Sequence, residues 1–246
     1  MKVVVGTNEK ISALIAEDFI NVVNKKENAV LGLATGTSPL QVYADLAKAN
    51  KEGRVSFKNV VTFNLDEYIG LEGTHNQSYR YFMNENLFNH IDIDKAKTNV
   101  LLGVGDYKAF MNKYDKMIED AGGIDIQILG IGSDGHIAFN EPGTSFDSLT
   151  HETELTEQTI KDNSRLFNDI SEVPTRAVTM GLKSIMNARK IVLIATGKNK
   201  AKAVYGLIKG PITEDMPCSI LQKHDDVTVY VDEDAYSLCK IGRAHV

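Results

Sequence analysis

The sequence predicts an α/β fold with a doubly wound, mainly parallel sheet and helices on both of its faces, a Rossmann-like arrangement. Short runs rich in β-branched residues alternate along the chain with longer segments in which apolar residues recur at helical spacing. This alternation is typical of βαβ units, which build parallel sheets. The 246 residues show no internal repeat or linker, so we expect one domain over residues 1–240.

The first half of the chain is expected to alternate strictly between the two kinds of element. Its apolar residues between Ile11 and Val23, for example, follow helical spacing directly after the strand-like valines that begin at Val3. The strands of this half are predicted at residues 3–5, 29–34, 60–65 and 98–102, and the helices at residues 11–23, 39–51, 76–89 and 107–121.

The second half begins with residues 124–129, an apolar run that predicts a largely buried strand. Residues 144–173 are the most polar part of the chain and have no clear core face. These residues could form a mobile flap over a site, or they could be an exposed connection. The spacing of their apolar residues does not favour either interpretation. Ordered segments are then predicted at residues 176–180, 182–188, 190–196, 199–208 and 227–231.

Composition excludes several classes of protein. The formal net charge is −6 and no basic run is present, which argues against a nucleic-acid partner. No apolar run approaches a membrane span, and Met1 leads almost directly into a strand rather than a signal peptide, so we expect a cytoplasmic protein. The tail at residues 241–246 has no structural pattern and is interpreted as an artificial remnant.

The candidate active site lies in residues 130–143, where Asp134, His136 and Glu141 follow the predicted buried strand among several glycines. A histidine between two carboxylates can be held in one tautomer and made more basic. Parallel strands present such groups at their carboxyl ends.

The same stretch matches the dinucleotide-binding pattern G-x-G-x-x-G at Gly130, Gly132 and Gly135. That pattern requires a long helix followed by a strand. Pro142 interrupts any helix too early, and residues 147–157 are polar and not strand-like, so we do not expect a nicotinamide site.

A candidate phosphate site combines a turn with two cations. The turn comprises Thr35, Gly36, Thr37 and Ser38, and Ser38 is the expected N-cap of a helix whose first residue is Pro39. Arg165 in the polar segment and Lys200 after a strand end can join it in holding a phosphate dianion. An ordinary capped turn and two solvated charges are the alternative.

Asp66 is the candidate base, because it ends a predicted buried strand beside Glu67 and both features raise the proton affinity of a carboxylate. Its alternative role is to cap the following turn. The remaining histidines are expected to be surface or structural residues. Neither they nor the two cysteines, Cys218 and Cys239, have metal-ligand spacing, so no metal is predicted.

Two segments make the chain closely resemble the glucosamine-6-phosphate deaminase family. They are V-T-F-N-L-D-E-Y at residues 61–68 and G-S-D-G-H-I-A-F-N-E-P at residues 132–142. The resemblance implies amino-sugar catabolism by a cofactor-free enzyme of the hydrolase or isomerase class that acts on a sugar phosphate. It implies that Asp66 is the enolisation base and that His136 opens the sugar ring, assisted by Asp134 and Glu141. It also implies that residues 35–38, Arg165 and Lys200 bind the phosphate.

Two departures from the family's allosteric members predict a non-allosteric enzyme, with a monomer favoured. Residues 144–153 contain no Arg or Lys, and the C-terminal extension of those members is missing. Two other functions stay open. A 6-phosphogluconolactonase also carries a G-x-D-G-H segment but does not require Asp66 as a carbon base. A sugar-phosphate-sensing regulator would need a DNA-binding segment, which is not expected before Val3.

Overall fold

The computed structural model describes residues 1–240, so the tail interpreted as a remnant lies outside the described residues. The strands are β1 (Lys2–Val5), β2 (Val30–Leu33), β3 (Val61–Asn64), β4 (Asp66–Tyr68), β5 (Thr98–Asn99), β6 (Ile126–Leu129), β7 (His151–Glu154), β8 (Arg176–Thr179), β9 (Lys190–Ala195) and β10 (Val227–Val231). The α-helices are α1 (Asn8–Lys25), α2 (Leu40–Lys51), α3 (Tyr79–Asn86), α4 (Tyr107–Asp120), α5 (Glu157–Asn163), α6 (Leu182–Met186) and α7 (Ala201–Lys209).

Seven of the strands form a parallel central sheet in the order β1-β10-β9-β6-β2-β3-β5, with helices around it. This confirms the predicted fold class. The middle strands are buried along nearly their whole length, as in β9, where Ile191 to Ala195 are at most 1% exposed. Such strands consist of continuous β-branched and aliphatic runs because both faces of a parallel sheet are covered.

The helices follow the predicted periodicity. In α1, Ile11, Ile15 and Phe19 are inaccessible to solvent, and the side chain of Thr7 caps the first turn by accepting from the backbone N–H of Lys10. Every helix in the described part of the chain is too short or too polar to cross a membrane.

The strand order reverses in the middle of the sheet. From β2 the chain continues to β3 and β5 on one side, and then returns to β6 on the other side of β2. Loops that leave two adjacent strands in opposite directions open a crevice at their carboxyl ends, where ligands bind in open α/β sheets.

Strands β4, β8 and β7 form a second, antiparallel sheet, which the sequence did not predict. The expectation that residues 147–157 are not strand-like was wrong, because His151–Glu154 pairs along the whole of β8. β7 is an edge strand with polar side chains, and it is held by its backbone ladder and by an ion pair between Glu152 and Arg176. Because these contacts do not require apolar residues at alternate positions, the sequence of β7 lacks the pattern by which a strand is usually recognised.

The polar segment at residues 144–173 also has a core face, contrary to expectation. Leu155 and Val173 are buried, and Leu155 joins Tyr68, Phe139 and Ala177 in a small apolar cluster beside the second sheet. Within this segment, α5 begins after Thr156, whose hydroxyl accepts from the backbone N–H of Thr159.

The start of α2 differs by one residue from the prediction. Pro39 occupies the N-cap position without a side-chain hydrogen bond, and the helix begins at Leu40. The backbone carbonyl of Thr37 accepts a hydrogen bond from the backbone N–H of Leu40, so the chain closes a tight turn before the helix and Ser38 is not the cap. The hydroxyl of Ser38 is therefore not engaged in capping.

Candidate active site

A cavity of about 620 Å³ lies at the carboxyl ends of four adjacent strands, β9, β6, β2 and β3. Each strand is followed by residues that line the cavity, which are 199–200 after β9, 130–133 after β6, 34–38 after β2 and 65–66 after β3. The reversal of strand order between β2 and β6 thus coincides with the cavity, as expected for an open α/β sheet.

The predicted site residues lie together in this region. Eight of them line the cavity: Thr35, Gly36, Thr37, Ser38, Asp66, His136, Arg165 and Lys200. Asp134 and Glu141 are not part of the wall, but both approach the imidazole of His136. The sequence therefore identified residues that converge on one cavity, while the role of each stays a prediction.

His136 is held from one side by two carboxylates. Its Nδ1 lies 2.7 Å from Oδ1 of Asp134 and 3.6 Å from Oε2 of Glu141. The same Asp134 oxygen also accepts the backbone N–H of His136, at 3.1 Å. Because both carboxylates face Nδ1, Nε2 is the ring nitrogen left to meet a ligand.

The electrostatics of this group assign the imidazole proton. The hydrogen bond with His136 lowers the pKa of Asp134 to about 2, so that carboxylate is ionised and can only accept. Nδ1 therefore carries the proton in the neutral ring, and Nε2 is a proton acceptor. This is the arrangement that a general base requires.

Glu141 lies behind the imidazole and is almost completely buried. Its Oε1 accepts a hydrogen bond of 2.5 Å from the hydroxyl of Thr159, whereas within the described residues its Oε2 has no hydrogen-bond partner. Nδ1 of His136 lies 3.6 Å from Oε2. Glu141 is thus fixed by α5 on one side and directed at His136 on the other.

Two backbone features make room for this group. A Cβ added at Gly132 would lie 2.2 Å from two atoms of the His136 ring, so the imidazole packs directly on the glycine backbone. Ala138, which lines the cavity, adopts a φ of 53°, in the left-handed region that alanine rarely occupies. Strain of this kind is concentrated at functional sites.

Asp66 lines the cavity at the start of β4 and is 7% exposed. Burial, together with the neighbouring charge of Glu67, raises the pKa of Asp66 to about 8. Burial also raises the pKa of Glu67, to about 7, although its carboxylate accepts the backbone N–H groups of Tyr68, Tyr79 and Arg80. Asp66 is therefore a carboxylate of unusually high basicity that faces the cavity.

The cavity wall also contains a cationic and hydroxyl-rich part. Lys200 stands at the start of α7, and burial lowers the pKa of its ammonium group. Arg165 follows α5, and Gly36 turns the β2 loop with a φ of 95°. An oxyanion such as a phosphate fits two cations beside several hydroxyl and backbone donors.

Sequence reasoning missed part of the cavity wall. Four of the missed residues lie on one face of α5 at helical spacing: Gln158, Thr159, Asp162 and Asn163. Thr156 is a recognisable N-cap residue. A helix that begins after it could therefore have been predicted from the sequence, together with the residues that share one face of that helix. Tyr79 and Phe139 also line the cavity as part of an aromatic cluster that no local pattern indicates.

One nitrogen and two carboxylate oxygens, from His136, Asp134 and Glu141, lie within 4.8 Å of one another. This donor set suits a divalent transition metal. The ring nitrogen that faces both carboxylates is, however, Nδ1, which donates its proton to ionised Asp134. These contacts fit a hydrogen-bonded acid/base group, and the expectation of no metal stays a prediction.

Comparisons with known proteins give consistent results. The family described as glucosamine-6-phosphate isomerases/6-phosphogluconolactonase matches residues 7–230. A glucosamine-6-phosphate deaminase of Mycoplasma mycoides subsp. mycoides is 51% identical over 238 residues, which cover 96% of this chain and 97% of the relative.

Two solved structures are also similar. One, described as a monomeric glucosamine-6-phosphate deaminase, superposes with a TM-score of 0.94 at 43% identity and covers 97% of this chain and 100% of its own. The 6-phosphogluconolactonase of Trypanosoma brucei gives a TM-score of 0.76 at 17% identity, covering 96% and 98% of the two chains. The second similarity is one of fold alone.

Proposed function

The chain belongs to the family of glucosamine-6-phosphate isomerases and 6-phosphogluconolactonases, and we propose that it converts glucosamine 6-phosphate to fructose 6-phosphate and ammonia. One observation carries the proposal: the basic carboxylate of Asp66, the His136 group and the cations Arg165 and Lys200 line the same cavity. The identity of 51% to a deaminase over nearly the whole chain supports the same activity.

In the proposed mechanism, the phosphate of the substrate binds first. Arg165, Lys200 and the turn at residues 35–38 hold its oxygens through charge-assisted hydrogen bonds and hydroxyl donors. Binding at this remote group orients the reacting carbons C1 and C2 toward Asp66, so that binding energy is used for positioning.

His136 then opens the sugar ring. Its Nε2 takes the proton of the anomeric hydroxyl and delivers a proton to the ring oxygen, and the C1–O5 bond breaks to give the open-chain aldehyde. Asp134 stabilises the imidazolium that forms between the two transfers, because its carboxylate is ionised and bonded to Nδ1. Glu141 adds a second negative charge on the same side of the ring.

Asp66 completes the isomerisation. The aldehyde acidifies the C2 hydrogen, which the ionised Asp66 removes and returns to C1, so the double bond passes through an enolamine to a C2 imine. Water adds to the imine carbon and expels ammonia, leaving the ketone. Each proton transfer uses a group of the protein or the substrate, so we propose that no cofactor takes part.

The reaction is best described as an isomerisation coupled to deamination. The label of hydrolase that the resemblance suggested is corrected, since the family is named for isomerases and the relatives for deamination. We also propose a monomer, because the solved structure with a TM-score of 0.94 is described as monomeric. A cytoplasmic role in amino-sugar catabolism, with a sugar phosphate as sole partner, is part of the same proposal.

The alternatives are less well supported. The likeness to the lactonase of Trypanosoma brucei, at 17% identity, concerns the fold. Lactone hydrolysis needs no base at C2, so it does not explain a buried carboxylate of raised pKa at Asp66. A sensing domain would not require a general base facing the ligand either.

Ammonia release from glucosamine 6-phosphate tests the proposal directly. We expect release by the parent protein with a chelator present, and none above background by Asp66→Asn. A folded parent that releases no ammonia but hydrolyses 6-phosphogluconolactone would establish the lactonase instead. Loss of activity with the chelator, restored by a divalent metal, would overturn the cofactor-free mechanism.

A further inference from the structure

Glu141 makes unequal use of its two carboxylate oxygens. In the described part of the chain, Oε2 lacks a hydrogen-bond partner and faces Nδ1 of His136 at 3.6 Å. Oε1 accepts a hydrogen bond of 2.5 Å from Thr159. A buried carboxylate that lost its donor would be free to rotate or to take a proton, because burial disfavours an unbonded charge. Oε1 also lies 3.5 Å from the hydroxyl of Thr156, so the much shorter hydrogen bond from Thr159 is the main contact that fixes the direction of Glu141.

A chain of hydroxyl groups extends this contact into α5. The hydroxyl of Thr156 lies 3.0 Å from that of Thr159 and donates to it, while the Thr159 hydroxyl donates to Glu141. Hydrogen bonds in such a chain polarise and strengthen one another. The N-cap bond of α5 uses the Thr156 hydroxyl and the backbone N–H of Thr159, so the side-chain hydroxyl of Thr159 is not needed to cap the helix.

The same helix leads to the phosphate-binding region. Gln158, Asp162 and Asn163 of α5 line the cavity, and Arg165 follows two residues after the helix ends. The position of α5 over the cavity is thus linked to the carboxylate behind His136 mainly through the hydroxyl of Thr159, while the hydroxyl of Thr156 lies 3.5 Å from the same oxygen.

From this geometry we infer that Thr159 is a positioning residue for ring opening. Its hydroxyl holds Glu141 against His136 and so makes the geometry of the proton-transfer group depend on the placement of α5. The inference rests on the proposed deaminase function. Thr159 acts through Glu141, so it should affect the rate of the chemical steps more than the binding of substrate.

The test compares Thr159→Val, which keeps the shape but removes the donor, with Thr159→Ser, which keeps the donor. Thr153→Val is the matched control, because Thr153 lies on β7 in the same segment and its hydroxyl contacts the carbonyl of Glu154 instead. We expect kcat of Thr159→Val to fall by about tenfold to a hundredfold, the cost of losing a hydrogen bond to a charged group. KM should change little, and Thr159→Ser and Thr153→Val should stay within about threefold of the parent.

A second measurement separates positioning from a general structural role. The acyclic analogue 2-amino-2-deoxyglucitol 6-phosphate resembles the opened substrate and needs no ring opening, so its inhibition constant should be the same for the parent and Thr159→Val. Equal loss of kcat and of analogue binding would overturn the inference, as would an unchanged kcat. If Thr159→Val fails to fold, Thr159→Ala serves as the second variant without a hydroxyl. A parent that releases no ammonia would instead disprove the proposed function.

Discussion

Asp66 and Glu67 are consecutive, buried carboxylates with different surroundings. Three backbone N–H groups surround Glu67, two of them at the first turn of α3, while Asp66 lines the cavity. The proximity of the two charges couples their ionisation, and the charge of Glu67 contributes, after burial, to the raised pKa of Asp66. Glu67 thus serves the cavity without lining it, as an electrostatic neighbour and as the anchor of the helix that carries Tyr79.

This coupling predicts the effect of Glu67→Gln on the pH dependence of activity. A base must be deprotonated, so the acid limb of kcat/KM reports the ionisation of Asp66 in the free enzyme. Removal of the Glu67 charge lowers the pKa of Asp66 from about 8, while burial keeps it above the ordinary value. We expect the acid limb to move to lower pH. A limb that stays in place or moves upward would contradict this coupling.

The raised pKa of Asp66 also predicts that this residue destabilises the folded protein at alkaline pH. Between the ordinary pKa near 4 and the folded value of about 8, the unfolded chain binds fewer protons than the folded one, so stability falls as pH rises. Asp66→Asn removes this titration. We expect it to raise the free energy of unfolding at pH 9 by on the order of 2 kcal/mol, and to have much less effect at pH 4.

Urea unfolding of both proteins at the two pH values measures this difference. Asp147→Asn is the matched control, because Asp147 is exposed and its replacement should leave stability unchanged at both values. Equal stabilisation by Asp66→Asn at pH 4 and pH 9 would show that packing, rather than ionisation, is the cause.

The position of the site could be predicted because parallel strands share a polarity. Asp66, His136 and Lys200 each follow a different strand, and their distances along the sequence carry no information about contact. The carboxyl ends of β3, β6 and β9 nevertheless meet at one edge, so residues placed there from local patterns converge.

The second sheet and the α5 face could not be predicted with the same reasoning. β7 consists of polar residues only and is specified by its pairing with β8, about 25 residues away along the chain, which local periodicity does not encode. The contact between Thr159 and Glu141 likewise depends on the path of residues 142–158, so neither residue alone indicates the other.

Lys200→Met is expected to weaken substrate binding. The methionine retains most of the buried apolar stem, whereas the cation proposed to bind the phosphate is lost. KM for glucosamine 6-phosphate should rise by about tenfold to a hundredfold, which is the usual cost of losing a charge-assisted hydrogen bond. Lys202→Met is the control, because Lys202 is an exposed residue of the same helix region and should leave KM unchanged. A similar rise in both variants would indicate a nonspecific effect of charge.

Two glycines of the same loop offer the sharpest test of the His136 geometry. A Cβ at Gly132 would lie 2.2 Å from the imidazole, whereas a Cβ at Gly130 meets no atom within 4 Å. Gly132→Ala must therefore displace the ring from Asp134 or Glu141, and misplacing a catalytic group by about 1 Å is typically enough to cost a hundredfold in rate. We expect ammonia release to fall by about that factor in Gly132→Ala and to stay within about threefold of the parent in Gly130→Ala.

Because both variants add one methyl group to the same loop, comparable loss in both would assign the effect to the backbone of the loop. Full activity in Gly132→Ala would mean that the packing of His136 on this glycine has no part in catalysis.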